Sequence, residues 1–255
     1  MEGGKRLITF APMIDSEFCR VLLAHYGVAY QEEDHLFGWA SLVSLVNGGT
    51  PQIPLLCGDG LRIAGPRGVA DHFDAVAPSD KKLMPADGVD AAQVNADWSR
   101  FNGTLGTAVA VICYYHLLPQ RGIMLAPLSH GLSPAETRAL PAVYPAVAGL
   151  LRLLLRLNAA NAAAAVDQAR ALFDEITQRI ADGRQYLVGD RLTLSDLALA
   201  TAAAPLLQPP GFGSPMPAID QMPEDLQRLA SEFRAHGAAK FVRQIYETWI
   251  GRGPP

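Results

Sequence analysis

The sequence predicts an α/β unit of order β-α-β-α-β-β-α followed by an all-helical unit. Three observations predict it. Residues 1–78 alternate short apolar, β-rich runs with helical apolar periods and contain an Asp-Gly hairpin signal. A polar, proline-containing stretch, "APSDKKLMPADG" (Ala77 to Gly88), then breaks the pattern. Beyond it the apolar spacing is helical and no run reads as a strand. The expected units are therefore 1–78 and 89–255, joined by a linker at 79–88. With 255 residues, 49% of them apolar, the chain can bury a large core.

Each element has a local cause. "RLITF" (Arg6 to Phe10) is a short β-rich run, and a loop with Pro12 follows. In "DSEFCRVLLAHYG", Phe18, Val21, Leu22 and His25-Tyr26 recur at helical spacing, with Ser16 at the entry and Gly27 where a left-handed cap belongs. "VAYQEED" reads as the second strand and "LFGWASLVSLVNGG" as a short helix ended by Asn47 and two glycines. "IPLL" and "LRIA" flank the turn Cys57-Gly58-Asp59-Gly60, a hairpin. "GPRGVADHFDAV" closes the unit as a helix with proline in its first turn. A strand–helix–strand start followed by a hairpin implies a mixed sheet. Helices are expected at Asp90 to Leu118, Pro134 to Leu157, Ala159 to Ala181, Leu194 to Leu207, Glu224 to Ala235 and Ala238 to Ile250. Leu117 to Pro141 and Gln208 to Pro217 ("QPPGFGSPMP") are expected as extra loops.

Composition excludes several function classes. The net charge is −4 and the Lys and Arg residues are scattered, so no face is expected to bind nucleic acid or dock electrostatically on a membrane. "TLGTAVAVICYYHLL" (Thr104 to Leu118) is shorter than the ~20 apolar residues a spanning helix needs, and "YPAVAGLLRLLLRL" is broken by Arg152 and Arg156. The three cysteines, Cys19, Cys57 and Cys113, form no C-x-x-C. With no signal-peptide pattern at the start, reduced thiols and a cytoplasmic protein are expected. Glu32, Glu33, Asp34 and His35 alternate across a strand end, which suits a solvated edge and not a metal site. No G-x-G-x-x-G, Walker-type lysine or nucleophile elbow is present.

Three local signals carry chemistry. The first is S-x-x-C, Ser16 to Cys19, after the first strand. The second is "NGGTPQIPLL" (Asn47 to Leu56), in which Ile53-Pro54 opens a strand although proline removes a ladder donor there. The third is "YLVGDRLTLSDLALA" (Tyr186 to Ala200), where Thr193 and Asp196 make a T-x-x-D capping arrangement and Leu192 with Leu197 can form a hydrophobic staple. Together these resemble the glutathione transferase family. Asn47, Gly49, Ile53, Pro54 and Leu56 match its proline-strand pattern, and Leu187, Gly189, Asp190, Thr193 and Asp196 match its C-terminal block.

The resemblance implies a thioredoxin-like glutathione-binding domain before an all-helical substrate domain, a cis Ile53–Pro54 bond, a twofold homodimer, and a cytoplasmic detoxification enzyme. It implies glutathione as co-substrate, its thiolate attacking a small apolar electrophile, with no metal. A free thiol titrates near ~8.5, so the anion must be stabilised. Ser16 matches the thiol-binding position; its other reading is a helix N-cap. Phe10, at the end of the first strand, has no hydroxyl to offer. Ile53 and Pro54 would hold the cysteinyl backbone. Gln52 reads equally as a contact at the glycyl end or an exposed strand-start residue, and His35 and Trp39, near the glycyl carboxylate, are expected in surface or packing roles. The family's Glu-Ser-Arg, which grips the γ-glutamyl group, is replaced here by Gly65, Pro66 and Arg67. The ammonium thereby loses a counter-ion and the carboxylate two donors, with Arg67 left to pair with it. The second substrate would lie between the domains, with Tyr114 lining an apolar pocket. Asp196 is assigned to folding. The alternatives are another glutathione-dependent reaction (peroxide reduction, isomerisation, dehalogenation) or a non-catalytic binding or scaffold protein.

Overall fold

The computed structural model describes residues 4–86 and 88–250. The outer ends of the two expected units, at residues 1 and 255, and Asp87 of the expected linker lie outside the described residues. A four-stranded sheet of order β2-β1-β3-β4 is built from β1 (Arg6–Thr9), β2 (Gln31–Asp34), β3 (Leu55–Gly58) and β4 (Leu61–Ala64). β1 pairs parallel with β2, Arg6 opposite Gln31, and antiparallel with β3, Ile8 opposite Leu55. β3 and β4 form the expected hairpin, Gly58 opposite Leu61, so Asp59 and Gly60 are the two-residue turn. Both have positive φ, 51° and 79°, as a twist-matched hairpin turn requires.

Alternation along β1 sorts the helices. Leu7 joins the large core shared with α1 (Ile14–Tyr26) and α3 (Gly65–Val76), whereas Ile8 packs with Leu55 and Cys57 on the other face, under Val43 of α2 (Trp39–Val46). α1 ends as its glycine predicts: Gly27 has φ 68°, and the N–H groups of Gly27 and Val28 close back on Ala24 and Leu23.

The segment after α3 is tied down. Leu83 is buried, Asp74 accepts from its N–H, and its carbonyl accepts from Leu194 N–H at 3.1 Å. Then come α4 (Gly88–Trp98), a π-helical stretch Ser99–Leu105 and α5 (Gly106–Leu117), one continuous rod. α6 (Arg121–Ser129) and α7 (Pro134–Leu154) follow, then α8 (Ala159–Arg179), α9 (Leu194–Leu207), α10 (Glu224–Arg234) and α11 (Gly237–Ile245), with a final π turn Tyr246–Ile250. Leu117 to Pro141, expected as a loop, is therefore largely helical. α6 accommodates Pro127 near its last turn, and Ser133 caps α7, its Oγ accepting from Glu136 N–H at 3.2 Å. The prolines and glycines of this stretch suggested a loop, yet α6 forms as a short helix that buries Met124, Pro127 and Leu128.

α9 is buried all round and centres the helical unit. Its start is the expected capping box, with Thr193 as N-cap and Asp196 as third helical residue. Among the described residues no single helix is long and apolar enough to cross a membrane; α7 and α8 pass that test only as a pair bent by 61°.

Candidate functional site

A cavity of about 270 Å³ lies where the sheet-bearing part meets the helices. The loop into α1 supplies Phe10, Pro12, Met13, Ile14 and Asp15. The rod supplies Asn102 from its π stretch and Gly106, Thr107, Ala110, Cys113, Tyr114 and Leu117 from α5. α6 and α7 cover it with Met124, Pro127, Leu151 and Leu154, and Pro215, Met216 and Pro217 close another side. Phe10 braces Phe37 edge-on at 5.3 Å. The walls are overwhelmingly apolar, the usual make-up of a small-molecule site.

The Gln208–Pro217 excursion is irregular, as expected, and a buried polar network holds it against α1. Gly213 N–H donates to Glu17 Oε1 at 3.0 Å and Ser214 Oγ to Glu17 Oε2 at 3.3 Å. Arg20 donates to Glu32 Oε1 at 2.6 Å, Ser214 Oγ at 3.0 Å and the Ala11 carbonyl at 3.0 Å. Tyr246 reaches Glu17 Oε1 at 3.4 Å. So Glu17 and Arg20, on the inner face of α1, fix the strand of chain that carries Pro215, Met216 and Pro217.

Ser16 stands elsewhere than its sequence reading suggested. α1 starts two residues earlier, at Ile14 with Met13 as N-cap, so Ser16 is the third helical residue and not the entry. It is fully buried; its Oγ donates to the Phe10 carbonyl at 2.8 Å and also hydrogen-bonds Thr9 Oγ1. The cavity is lined instead by Met13, Ile14 and Asp15. The run Phe18, Val21, Leu22 marked the helix but not its first turn, since Met13 and Ile14 carry no capping signal. No side chain caps α1, and Ser16 and Glu17 both direct their N–H groups to the Met13 carbonyl. The first turn of α1, whose leading amides have no intrahelical acceptors, thus lies at the cavity wall with the positive pole of the helix behind it.

The proline strand is built beside this. The Ile53–Pro54 peptide is cis, both residues are buried, and Gly65 N–H donates to the Pro54 carbonyl at 2.8 Å. Gln52 is exposed, and its amide lies over Gly65: a Cβ on Gly65 would come within 2.8 Å of Gln52 Nε2. Gly65 also has φ 70°, so a larger residue there is strained as well as crowded. Pro66 is buried in the first turn of α3, where it offers no donor. Arg67 is engaged: Nε donates to Asp71 Oδ1 at 2.8 Å, Nη1 to Asn95 Oδ1 at 2.8 Å, and the guanidinium lies 5.8 Å from the Trp98 ring. It staples α3 to α4. His35 is likewise engaged, between Glu33 Oε1 at 3.1 Å and Glu136 Oε1 at 3.2 Å, and Trp39 is 53% exposed.

Tyr114 lines the cavity, as the sequence suggested, and burial pushes its phenol above the usual range, so it stays a neutral hydroxyl. Cys113 also lines it, and burial pushes that thiol up to about 12. Burial raises the Cys19 thiol further from its ordinary value, so neither cysteine is a nucleophile at neutral pH. Sequence reading missed Asp15 and Asn102. Burial pushes the Asp15 carboxyl up to about 6, opposed by a hydrogen bond from Asn102. The π stretch that turns Asn102 to the cavity has no sequence signature, though such stretches recur at functional sites.

Comparisons with known proteins agree with this architecture. Residues 159–231 match the model of the glutathione S-transferase C-terminal domain. No curated protein matches the chain in sequence. Solved structures do match in fold. A possible glutathione S-transferase from Rhodopseudomonas palustris shares 15% identity at a TM-score of 0.57, over 97% of this chain and 95% of that one. Beta-etherase LigF from Sphingobium sp. strain SYK-6 shares 17% at 0.59, over 94% and 98%. A glutathione S-transferase of Ceriporiopsis subvermispora in complex with glutathione shares 16% at 0.57, over 99% of each chain. The chain thus resembles glutathione S-transferases in its C-terminal sequence and over its whole fold, a thioredoxin-like unit followed by helices.

Proposed function

From a chain with the glutathione S-transferase fold throughout, we propose glutathione-dependent transfer to a small apolar electrophile held in the cavity between the sheet and the helices. The observation that carries this is the juxtaposition of an apolar cavity with the uncapped first turn of α1. Glutathione would lie along the Ile53–Pro54 loop, with its sulfur on the amides of Ile14 and Asp15. A helix N-terminus contributes about 1–2 kcal/mol to an anion in a partly buried setting, roughly one unit of thiol pKa. Ser16 acts in this scheme by bracing the turn against β1. The γ-glutamyl grip is weak, because Gly65 and Pro66 supply no carboxylate, hydroxyl or N–H and Arg67 is already paired. Each missing charge-assisted bond is worth about 1.5–3 kcal/mol, so binding should be tenfold or more weaker than with a full clamp.

Calorimetry with glutathione, together with conjugation of chlorodinitrobenzene, tests this. Weak but saturable glutathione binding is expected, and Ser16→Ala should leave the pH profile of conjugation in place while lowering stability by about 1 kcal/mol. A profile moved by one pH unit or more in that variant would return the sulfur to Ser16. No glutathione binding, with apolar probes still entering the cavity, would leave the second reading, a binding protein without thiol chemistry. That reading is favoured by Gly65-Pro66 and by the inward turn of the Ser16 hydroxyl. Either way we place the protein in the cytoplasm, its buried cysteines reduced, as a homodimer of the family's twofold kind. Light scattering should give twice the chain mass at micromolar concentration; a monomer would overturn the dimer.

A further inference from the structure

The polar end of the cavity has an unusual balance. Among the described residues lining it, Asp15 is the one ionisable acid, and no Lys, Arg or His faces it. The Asn102 amide bonds the Asp15 carboxyl, which leaves Asn102 Oδ1 buried and without a hydrogen-bond partner among the described residues. Two acceptors, a carboxylate and an amide oxygen, therefore stand at one place in an apolar wall with no cation among the lining residues to meet them. The remaining polar side chains, Thr107 and Tyr114, are neutral hydroxyls further along the rod. A buried acceptor left unmatched is unfavourable, and a buried carboxylate without a counter-ion more so. A ligand that brings the donors relieves both.

We propose that the Asp15–Asn102 pair selects, for this cavity, an apolar ligand ending in an amine. The ammonium would donate to a free Asp15 oxygen and to Asn102 Oδ1, while its hydrocarbon body replaces contacts among Phe10, Ala110 and Met216. Burial raises the Asp15 carboxyl, and among the groups lining the cavity only the Asn102 hydrogen bond opposes it. The proposal rests on the reading that the cavity is the ligand site; it does not need the thiol chemistry.

The test compares phenylbutylamine, phenylbutanol and phenylbutanoate, three probes of one hydrocarbon body, titrated into the full chain near neutral pH by calorimetry. The amine should bind about tenfold or more tightly than the carboxylate, with the alcohol between them. Asp15→Asn keeps the shape and should shrink the amine's advantage to about threefold or less. Asn102→Leu, which removes the second acceptor, should weaken the amine and spare the alcohol. A thermal melt of each variant shows that it is folded. Equal binding of all three probes, blocked by Ala110→Trp, would keep the cavity as the ligand site and overturn the amine selection alone. No binding of any probe would overturn both.

Discussion

Asp196→Ala is expected to lower the stability of the protein by about 3–5 kcal/mol, a large part of the roughly 5–15 kcal/mol that folded chains possess. The carboxylate is fully buried and is shared between two stretches of chain. Its Oδ2 accepts from Thr193 N–H at 2.8 Å and from Thr193 Oγ at 2.8 Å, and its Oδ1 accepts from Leu187 N–H at 2.7 Å. Alanine would leave two backbone donors and a hydroxyl without partners where water does not reach, at about 1–3 kcal/mol for each group that finds no substitute. The helix so capped is α9, which is buried on every side and has no solvent-facing surface to absorb a shift. Its first turn also holds the segment before α4, through Leu194 N–H to the Leu83 carbonyl. Asp196→Asn keeps one acceptor oxygen but turns a donor toward a donor, and should lose about half as much. Denaturant titration reads both. A midpoint unchanged in the alanine variant would show that the cap is dispensable. Probe binding retained by folded Asp196→Asn would confirm that this acid builds the fold and takes no part in the cavity.

How much of this was legible in the sequence depended on the range of the cause. Asp59-Gly60, Gly27 and Thr193-x-x-Asp196 announced themselves because turns and caps are written in a few adjacent residues, and the structure has the hairpin, the left-handed cap and the capping box there. The entry to α1 was misread for the opposite reason. Ser16 carries the side chain that usually caps, yet tertiary packing begins the helix at Ile14 and buries the hydroxyl against β1. Local preference lost to long-range burial. Arg67 and His35 each have a near partner, Asp71 and Glu33, that the sequence places within four residues. Their second partners, Asn95 and Glu136, are 28 and 101 residues away and could not be read from spacing. The cavity's polar end depends on Asp15 and Asn102, 87 residues apart in sequence by subtraction of their numbers. A π stretch decides the direction of the second, and no spacing rule reports it. Tyr114 was singled out because the family resemblance puts a pocket between the two units, and α5 does bring it to the cavity wall.

Arg20→Ala is expected to be as damaging as loss of the α9 cap, by about 3–5 kcal/mol, and to loosen one wall of the cavity. The side chain of Glu17 is only 3% exposed and that of Arg20 16%, so the pair lies largely out of water. Removing the cation leaves Glu17 with neutral donors only, from Gly213, Ser214 and Tyr246, and strips Glu32 and the Ala11 carbonyl of theirs. Breaking a buried pair from one side is the costly direction, because the remaining charge stays desolvated. Arg20→Lys should recover little, since one ammonium cannot serve Glu32, Ser214 and the Ala11 carbonyl in the fork geometry they occupy. The double change Arg20→Met with Glu17→Gln removes both charges and should restore more than half of the lost stability. The functional consequence follows from the same bonds. Ser214 and Gly213 are held by Arg20 and Glu17, and the next three residues, Pro215, Met216 and Pro217, form the cavity wall. The single variant should therefore exchange amide hydrogens faster around Gly213 and bind apolar probes more weakly even at temperatures where it is folded. Hydrogen exchange and probe titration on the same sample measure the two effects. A stability loss below about 1 kcal/mol, the range of an exposed ion pair, would show that water reaches this network and that the wall stands without it.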